Sequence, residues 1–250
     1  MSTAIVRIWT CEGLVIASDT LVSNDSLDCA QYTAQKIFKI DRSPVRAAYA
    51  IAGQAKIIQP DGELLLDVPL AVHEAVEEAL GEQLRDLHWF SMVLANLMKD
   101  KIRNVQRALR ANPKIDKEWP IHIFVDGYYR SEDPERFHIT ISKLGALPDW
   151  AKKRILQDES FDNFGVGSCK VQKSLDEDDS SFDEFKPSKI TDKLSLLEAI
   201  EVAGNRVRAQ FGKFAPSLAI DPLCRHIGGR VMIATVTRAR GFEWVAGFAS

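Results

Sequence analysis

The spacing of apolar residues changes along this chain, and the order of the patterns limits the folds that it can adopt. Strand-length apolar segments separated by turns occupy the first part of the chain, at residues 4–9, 13–17, 36–40 and 46–52. From residue 68 to residue 111 the spacing becomes helical instead. This region predicts a pair of amphipathic helices, with a break near Gly81 or around residues 88–91.

Strand patterns return after these helices. Residues 121–126 and 137–142 predict a hairpin, and residues 191–211 predict a helix with Thr191 as its N-cap. A closing pair of strands is predicted within residues 230–245. Runs of strands separated by runs of helices are typical of α+β folds with antiparallel sheets and segregated helices.

Composition excludes several classes of protein. The 250 residues carry a formal net charge of -3, without the basic excess of a nucleic-acid binder. No apolar run approaches the roughly 20 residues that span a bilayer. Arg7 and Glu12 interrupt the first apolar stretch, unlike a secretory signal. We therefore expect a cytoplasmic protein with no nucleic-acid or membrane partner, folded as a single domain over residues 1–250.

Neither the cysteines nor the histidines have the spacing of metal ligands. No CxxC pair occurs among the four cysteines, which are Cys11, Cys29, Cys169 and Cys224. The five histidines form no HExxH motif. Gly165 and Gly167 begin a dinucleotide-binding pattern, but Lys170 stands where its third glycine would be. No metal and no organic cofactor is expected.

An acidic segment near residues 172–190 has little apolar content and predicts an exposed loop. Its carboxylates lack the ligand spacing and the central glycine of a calcium-binding EF-hand. A solvated insertion is therefore the favoured interpretation.

Three residues near the N-terminus suggest chemistry. Thr3 stands almost at the chain start, Asp19 follows an apolar strand, and Lys36 opens the next strand pattern. A terminal hydroxyl residue whose own α-amino group acts as base, beside an ammonium and a carboxylate, forms a self-contained nucleophilic site.

Sequence motifs around these residues resemble the proteasome β-subunit family of N-terminal nucleophile (Ntn) hydrolases, including its HslV-type and Anbu-type bacterial homologues. GLVIASD at residues 13–19 is similar to the start of that family, and QKIFKI at 35–40 to its lysine strand. AIAG at 50–53 is similar to the strand that ends in its oxyanion glycine. The resemblance continues through FGVGS at 164–168 and the double glycine of HIGGRV at 226–231.

Because the element order also matches, the resemblance covers most of the chain. It implies a four-layer αββα sandwich of two antiparallel sheets flanked by helices. It also implies Thr3 as the nucleophile, with its own amine as proton acceptor. Lys36 would lower the pKa of the nucleophilic centre, Asp19 would orient Lys36, and the Gly53 N–H would face the developing oxyanion.

Each of these residues also has a purely structural interpretation. Thr3 starts a strand, Asp19 caps a turn, Lys36 is a strand-edge charge, and Gly53 is a helix-entry residue. Their order and near-family spacing together favour the catalytic interpretation.

The chain also departs from the family pattern. Met1 and Ser2 precede Thr3, so Thr3 becomes terminal only when both are removed, and loss of Met1 alone would make Ser2 the terminal nucleophile. In the glycine-serine turn, Val166 stands where the family has its serine, and Ser168 follows two residues later. Asp221 lies seven residues before Gly228, away from the family's position.

The resemblance implies a threonine hydrolase that cleaves peptide or amide bonds through an acyl-enzyme, without a cofactor. Two alternatives remain open: a catalytically silent ring-forming subunit with an unprocessed N-terminus, and a non-proteolytic Ntn amidohydrolase. The expected partners are further copies of the chain in a closed ring and a peptide or protein substrate. An ATP-dependent unfoldase that feeds the ring is a further candidate partner.

Overall fold

The computed structural model describes residues 3–22, 32–58, 62–111, 121–130, 134–142, 145–149, 166–177, 179–186 and 193–245. The strands are β1 (Ile5–Trp9), β2 (Leu14–Asp19), β3 (Leu21–Val22), β4 (Tyr32–Thr33), β5 (Ile37–Arg42), β6 (Val45–Gly53), β7 (Lys56–Ile58), β8 (Leu64–Asp67), β9 (Ile121–Tyr129), β10 (Glu135–Ser142), β11 (Gly145–Asp149), β12 (Val231–Thr237) and β13 (Gly241–Trp244). The α-helices are α1 (Val68–Gly81), α2 (Leu87–Ala111), α3 (Cys169–Asp176), α4 (Leu196–Arg208) and α5 (Ala215–Ile220).

The first sheet has the antiparallel order β1-β2-β12-β13. The predicted N-terminal hairpin is confirmed, with Ile5 opposite Ser18. The predicted closing pair of strands is confirmed as well. β2 lies in the middle of this sheet, and its last residue, Asp19, faces Val231 at the start of β12.

The second sheet has the antiparallel order β11-β10-β9-β6-β5. β6 pairs with β5 on one side and with β9 on the other, and both predicted strands of the β9–β10 hairpin are present. Two small two-stranded sheets, β3-β4 and β7-β8, flank the main sheets.

The two sheets pack face to face and carry helices on their outer faces. A buried apolar layer between the sheets includes Ile16 of β2, Ala50 of β6 and Phe124 of β9. Helix α4 covers the outer face of the first sheet, and α1 with α2 covers that of the second. The structure therefore confirms the predicted four-layer αββα sandwich. Because β1 and β2 are covered on both faces, every residue in them is buried, as continuous apolar strands require.

The break between the first two helices follows Gly81, where α1 ends, so the first of the two predicted positions is confirmed; the second, residues 88–91, lies within α2. The start of α4 differs from the prediction. Ser195 caps this helix in a capping box with Glu198, which supplies a carboxylate for the N-cap N–H. The predicted cap, Thr191, lies outside the described residues.

The prediction of an exposed loop over residues 172–190 is wrong for the part that the structure describes. Helix α3 and a 3-10 helix at Ser180–Phe185 form there. Val171 and Leu175, at helical spacing, anchor α3, and Phe182 anchors the 3-10 helix; all three are buried on the α4 side of the first sheet. Four acidic side chains of this segment are nevertheless exposed, namely Asp176, Glu177, Asp183 and Glu184.

Across these described ranges, none of the helices is both long enough and apolar enough to cross a membrane.

Candidate active site

The structure brings Thr3, Asp19 and Lys36 together at one end of the sandwich. Thr3 directly precedes Ala4 and β1, Asp19 ends β2, and Lys36 directly precedes β5 of the other sheet. All three are buried, with exposed fractions of 4%, 0% and 6% respectively. The site therefore lies where the ends of the two sheets meet.

The Lys36 ammonium contacts both of the other residues. Its Nζ lies 2.8 Å from Asp19 Oδ1 and 3.4 Å from Thr3 Oγ1. It also donates to the backbone carbonyl of Leu21 at 2.7 Å. An ammonium has three donors, so these contacts use all of them and fix its position.

Asp19 is held by backbone donors from three parts of the chain. Its Oδ1 accepts from Ala4 N at 2.9 Å. Its Oδ2 accepts from Leu21 N and from Gly228 N, each at 3.2 Å. The double glycine noted in the sequence thus reaches the site through the Gly228 N–H. These bonds also tie the residue after Thr3 to the carboxylate that holds Lys36.

Burial opposes the charged forms of this ion pair. Burial raises the pKa of Asp19, while Lys36 and the backbone N–H groups of Ala4 and Gly228 act in the opposite direction. Burial likewise lowers the pKa of Lys36, and Asp19 opposes that change. Lys36 therefore loses its proton more readily than an exposed lysine does.

Gly53 lies on the strand next to Lys36. The Ile51 N–H of β6 donates to the Lys36 carbonyl at 3.0 Å, and Gly53 ends β6 two residues further along. The φ angle of Gly53 is +96°, a conformation that residues with a side chain rarely adopt. The structure thus places Gly53 at the same end of the sandwich as Thr3, half-buried and without a side chain.

The glycine-serine turn also borders the site. Val166 pairs with Ile5 of β1 through two backbone hydrogen bonds, of 2.7 and 2.9 Å. The buried Gln210 accepts from Ser168 N at 2.8 Å and so clamps this turn from the end of α4. Sequence reasoning missed Gln210, because a single glutamine after an amphipathic helix carries no motif.

Ser168 and Asp221, at which the chain departs from the family pattern, hydrogen-bond with backbone groups at helix starts. The Ser168 hydroxyl accepts from Val171 N and caps α3. Asp221 accepts from Leu223 N and caps a 3-10 helix at Pro222–His226. Both side chains therefore serve helix starts.

A second buried polar cluster lies between the sheets and was not predicted. Arg7 on β1 and Asp126 on β9 form a fully buried ion pair of 2.8 Å, and Arg136 lies 3.5 Å from the same carboxylate oxygen. Beside them, His122 Nδ1 and His138 Nε2 are 3.0 Å apart. These five residues lie on three strands, β1, β9 and β10, that are more than 100 residues apart at the extremes, so no local motif connects them.

The arrangement around Thr3 is suited to nucleophilic chemistry. It offers a hydroxyl beside a buried ammonium, a carboxylate that fixes the ammonium, and a glycine on the neighbouring strand. Among the described residues, no group of three or more His, Cys, Asp or Glu side chains is placed to hold a metal ion.

Comparison with known proteins gives a clear result only for structure. No protein-family model matches the chain, and no curated protein matches its sequence. Anbu (ancestral beta-subunit) from Yersinia bercovieri superposes with a TM-score of 0.59 at 11% identity, over 98% of this chain and 87% of that chain.

Two further Anbu structures match to a similar extent. The Gly-1 mutant of Anbu from Hyphomicrobium sp. strain MC1 has a TM-score of 0.57 at 16% identity, over 97% of this chain and 84% of that one. The helical assembly of the Anbu complex from Pseudomonas aeruginosa gives 0.58 at 13% identity, over 99% and 88%. The chain therefore has the proteasome-like Ntn-hydrolase fold of the Anbu proteins.

Proposed function

We propose that this chain is a proteasome-like threonine hydrolase that cleaves peptide or amide bonds through an acyl-enzyme on Thr3. The observation that supports this most is the position of Lys36, whose Nζ contacts both Thr3 Oγ1 and Asp19 Oδ1 in a buried site. A lysine placed in this way stabilises negative charge on the hydroxyl oxygen as it attacks.

The proposed reaction begins once Met1 and Ser2 have been removed, because only then does Thr3 have a free amine. That amine takes the proton from Oγ1 as Oγ1 attacks the substrate carbonyl. The Gly53 N–H donates to the oxyanion of the tetrahedral intermediate. The intermediate collapses, the C–N bond breaks, and the leaving amine takes the proton from the Thr3 amine. Water then hydrolyses the ester on Thr3 and releases the carboxylic acid.

Lys36 and Asp19 assist these reaction steps through their charges. The ammonium lowers the pKa of the Thr3 hydroxyl while it stays charged, and Asp19 keeps it aimed at Oγ1. Since three backbone N–H groups fix the Asp19 carboxylate, little reorganisation is required during the reaction.

A catalytically silent subunit is the second candidate. It is favoured by the capping contacts of Ser168 and Asp221, whose side chains accept from backbone N–H groups at helix starts. In that case Met1 and Ser2 stay in place and the fold serves assembly alone. A non-proteolytic amidohydrolase would use the same chemistry on a small substrate.

We also propose that the chain forms a homo-oligomer in the cytoplasm. The Pseudomonas aeruginosa Anbu complex forms a helical assembly. Here Leu70 on α1 and Leu197 on α4, on the two outer helix layers, are 57% and 78% exposed and offer apolar contacts to further copies. Light scattering that gives the mass of a monomer at micromolar concentration would exclude this assembly. Unfolded protein delivered by an ATP-dependent unfoldase is the proposed substrate of such an assembly.

The proposed activity is tested with two forms of the chain. One form begins at Thr3, released from a cleavable fusion, and the other retains Met1 and Ser2 in a processing-resistant form. Hydrolysis of a panel of fluorogenic peptides is expected only from the form that begins at Thr3, and Thr3→Ala in that form abolishes it. No hydrolysis of peptides or of small amides by either form would leave the silent subunit as the function.

A further inference from the structure

A pocket of about 350 Å³ opens at the end of the sandwich opposite Thr3. Turns after β5, β9 and β12 meet there. The residues that line the pocket include Asp41, Ser43, Arg46, Tyr128, Arg130 and Arg238. β6 runs from Arg46 in this pocket to Gly53 near Lys36, and a strand of that length spans about 25 Å. The pocket is therefore separate from the proposed active site.

Arg46 is held rigidly at the wall of this pocket. Its Nη1 donates to the carbonyl of Arg238 at 2.6 Å and to that of Ala239 at 3.1 Å. Gly241, at φ +68°, continues this turn, and a Cβ at this position would come within 3.6 Å of Arg46 Cδ. The remaining guanidinium donors are thus positioned before any ligand arrives, which reduces the entropy lost on binding.

Arg130 and Arg238 are positioned by neighbouring aromatic rings. The guanidinium carbon of Arg130 lies 5.3 Å from the centre of the Tyr129 ring, and that of Arg238 lies 5.9 Å from the Tyr128 ring. The Arg130 N–H also donates to the Pro44 carbonyl at 2.9 Å, which links two of the three turns. Three guanidinium groups on different turns therefore surround one cavity.

The local charge is opposite in sign to that of the chain. The whole chain has a formal net charge of -3. Among the described residues of the three turns and the three residues on either side of each, three are acidic and six are basic. The acidic ones are Asp41, Glu135 and Glu243, and the basic ones are Arg42, Arg46, Arg130, Arg136, Arg238 and Arg240. In the sequence, Glu132 and Asp133 after Arg130 add two acidic residues, which leaves the three turns with a formal charge of about +1. Asp41 is already paired with Lys39 at 2.7 Å.

We infer that this pocket binds a small phosphate-type anion, either free phosphate or a small phosphate monoester. Guanidinium groups match phosphate oxygens with paired, charge-assisted hydrogen bonds. The pocket wall also carries the hydroxyl residues Ser43 and Tyr128, and its volume falls within the range of small-ligand sites.

Binding is tested by titrating the full chain with inorganic phosphate in a calorimeter at constant ionic strength, with chloride as the balancing anion. Glycerol 3-phosphate in a parallel titration distinguishes free phosphate from a monoester, since the natural source is the one that binds more tightly. Saturable binding of one ligand per chain is expected for at least one of the two. Absence of saturable binding for both would overturn the inference.

Substitutions of the pocket arginines test whether phosphate binds in this pocket. Arg130→Gln and Arg238→Gln each remove one exposed guanidinium and are expected to weaken binding about tenfold or more. The matched control is Arg103→Gln, an exposed arginine on α2 paired with Asp100, which leaves binding unchanged. Equal affinity in all three variants would overturn the assignment. Thr3→Ala is also expected to bind phosphate normally, which separates this test from that of the proposed hydrolase.

Discussion

Lys36 Nζ lies 2.8 Å from Asp19 Oδ1, and the two side chains join the two sheets of the sandwich at the end where Thr3 lies. Both are almost completely buried. An ion pair removed from water is costly to form and is a weak source of stability. Its geometry towards Thr3 Oγ1 gives a functional reason for keeping it.

Removal of the Lys36 charge is expected to abolish most of the activity. Lys36→Ala should lower kcat/KM about 100-fold or more in the form of the chain that begins at Thr3, because the developing charge on Oγ1 loses its stabilising ammonium. Peptide hydrolysis measures this change. Lys39→Ala is the matched control, since Lys39 is an exposed lysine on β5, the strand that Lys36 directly precedes, and pairs only with Asp41 among the ion pairs described. Equal effects of the two substitutions would contradict the proposed role of Lys36.

The alkaline limit of activity should report the Lys36 pKa. Burial lowers that pKa from its usual 10.5, so the charge is lost as the pH rises through a value below 10.5. The kcat/KM of the wild-type chain should fall over that range. In Lys36→Arg the guanidinium stays charged, so any remaining activity should persist to higher pH. If kcat/KM falls over the same alkaline pH range in the wild-type chain and in Lys36→Arg, a group other than Lys36 controls the alkaline limit.

A methyl group added at Gly167 should disrupt the hydrogen bond by which Gln210 holds the glycine-serine turn. A Cβ on Gly167 would overlap Gln210 Oε1, and the φ of Gly167 is +151°, which a side chain disfavours. Gly167→Ala should therefore lower the free energy of unfolding by about 2 kcal/mol and also lower kcat, because the turn pairs with the start of β1, two residues after Thr3. Gly81→Ala is the control, as open space surrounds that position at the end of α1. Equal unfolding free energies for the two variants would contradict the clamp.

The pair His122 and His138 between the sheets should make the folded state less stable at acidic pH. Burial, His122 and Arg7 lower the pKa of His138 to about 4, whereas an unfolded histidine titrates near 6.5. The folded state therefore binds fewer protons between these values, and its stability falls as the pH drops from 6.5 towards 4. Since His138 is only partly buried and solvent screens it, the loss should be about 1 to 2 kcal/mol.

Denaturant unfolding at several pH values measures this loss. His138→Gln should flatten the pH dependence between pH 6.5 and 4.5, and the control His226→Gln, on the 3-10 helix after α5, should leave it unchanged. Parallel slopes for the wild-type chain and His138→Gln would contradict the account.

The sequence predicts the layers of this fold well, because apolar spacing reports directly which face of each element is buried. The helix break at Gly81 and both hairpins follow from that spacing. For the segment that contains Phe182 the acidic composition wrongly predicts a loop, because it hides the single buried aromatic that anchors the 3-10 helix.

The candidate site is only partly readable in the sequence. Asp19 and Lys36 stand in motifs, but the N–H of Gly228 and the clamp of Gln210 reach the site from more than 170 residues away from Lys36. The arginines that line the pocket opposite Thr3 likewise come from three different turns. Such contacts depend on tertiary packing, which no local spacing encodes.

The most direct test of the central claim is the mass of the chain after reaction with a threonine-directed peptide epoxyketone. The form that begins at Thr3 should gain one inhibitor molecule, and fragmentation should place it on Thr3. Thr3→Ala should gain none. An unlabelled chain with a free Thr3 terminus, or a label on another residue, would contradict Thr3 as the nucleophile. A label on a terminal Ser2 in the chain that has lost only Met1 would move the nucleophile by one residue.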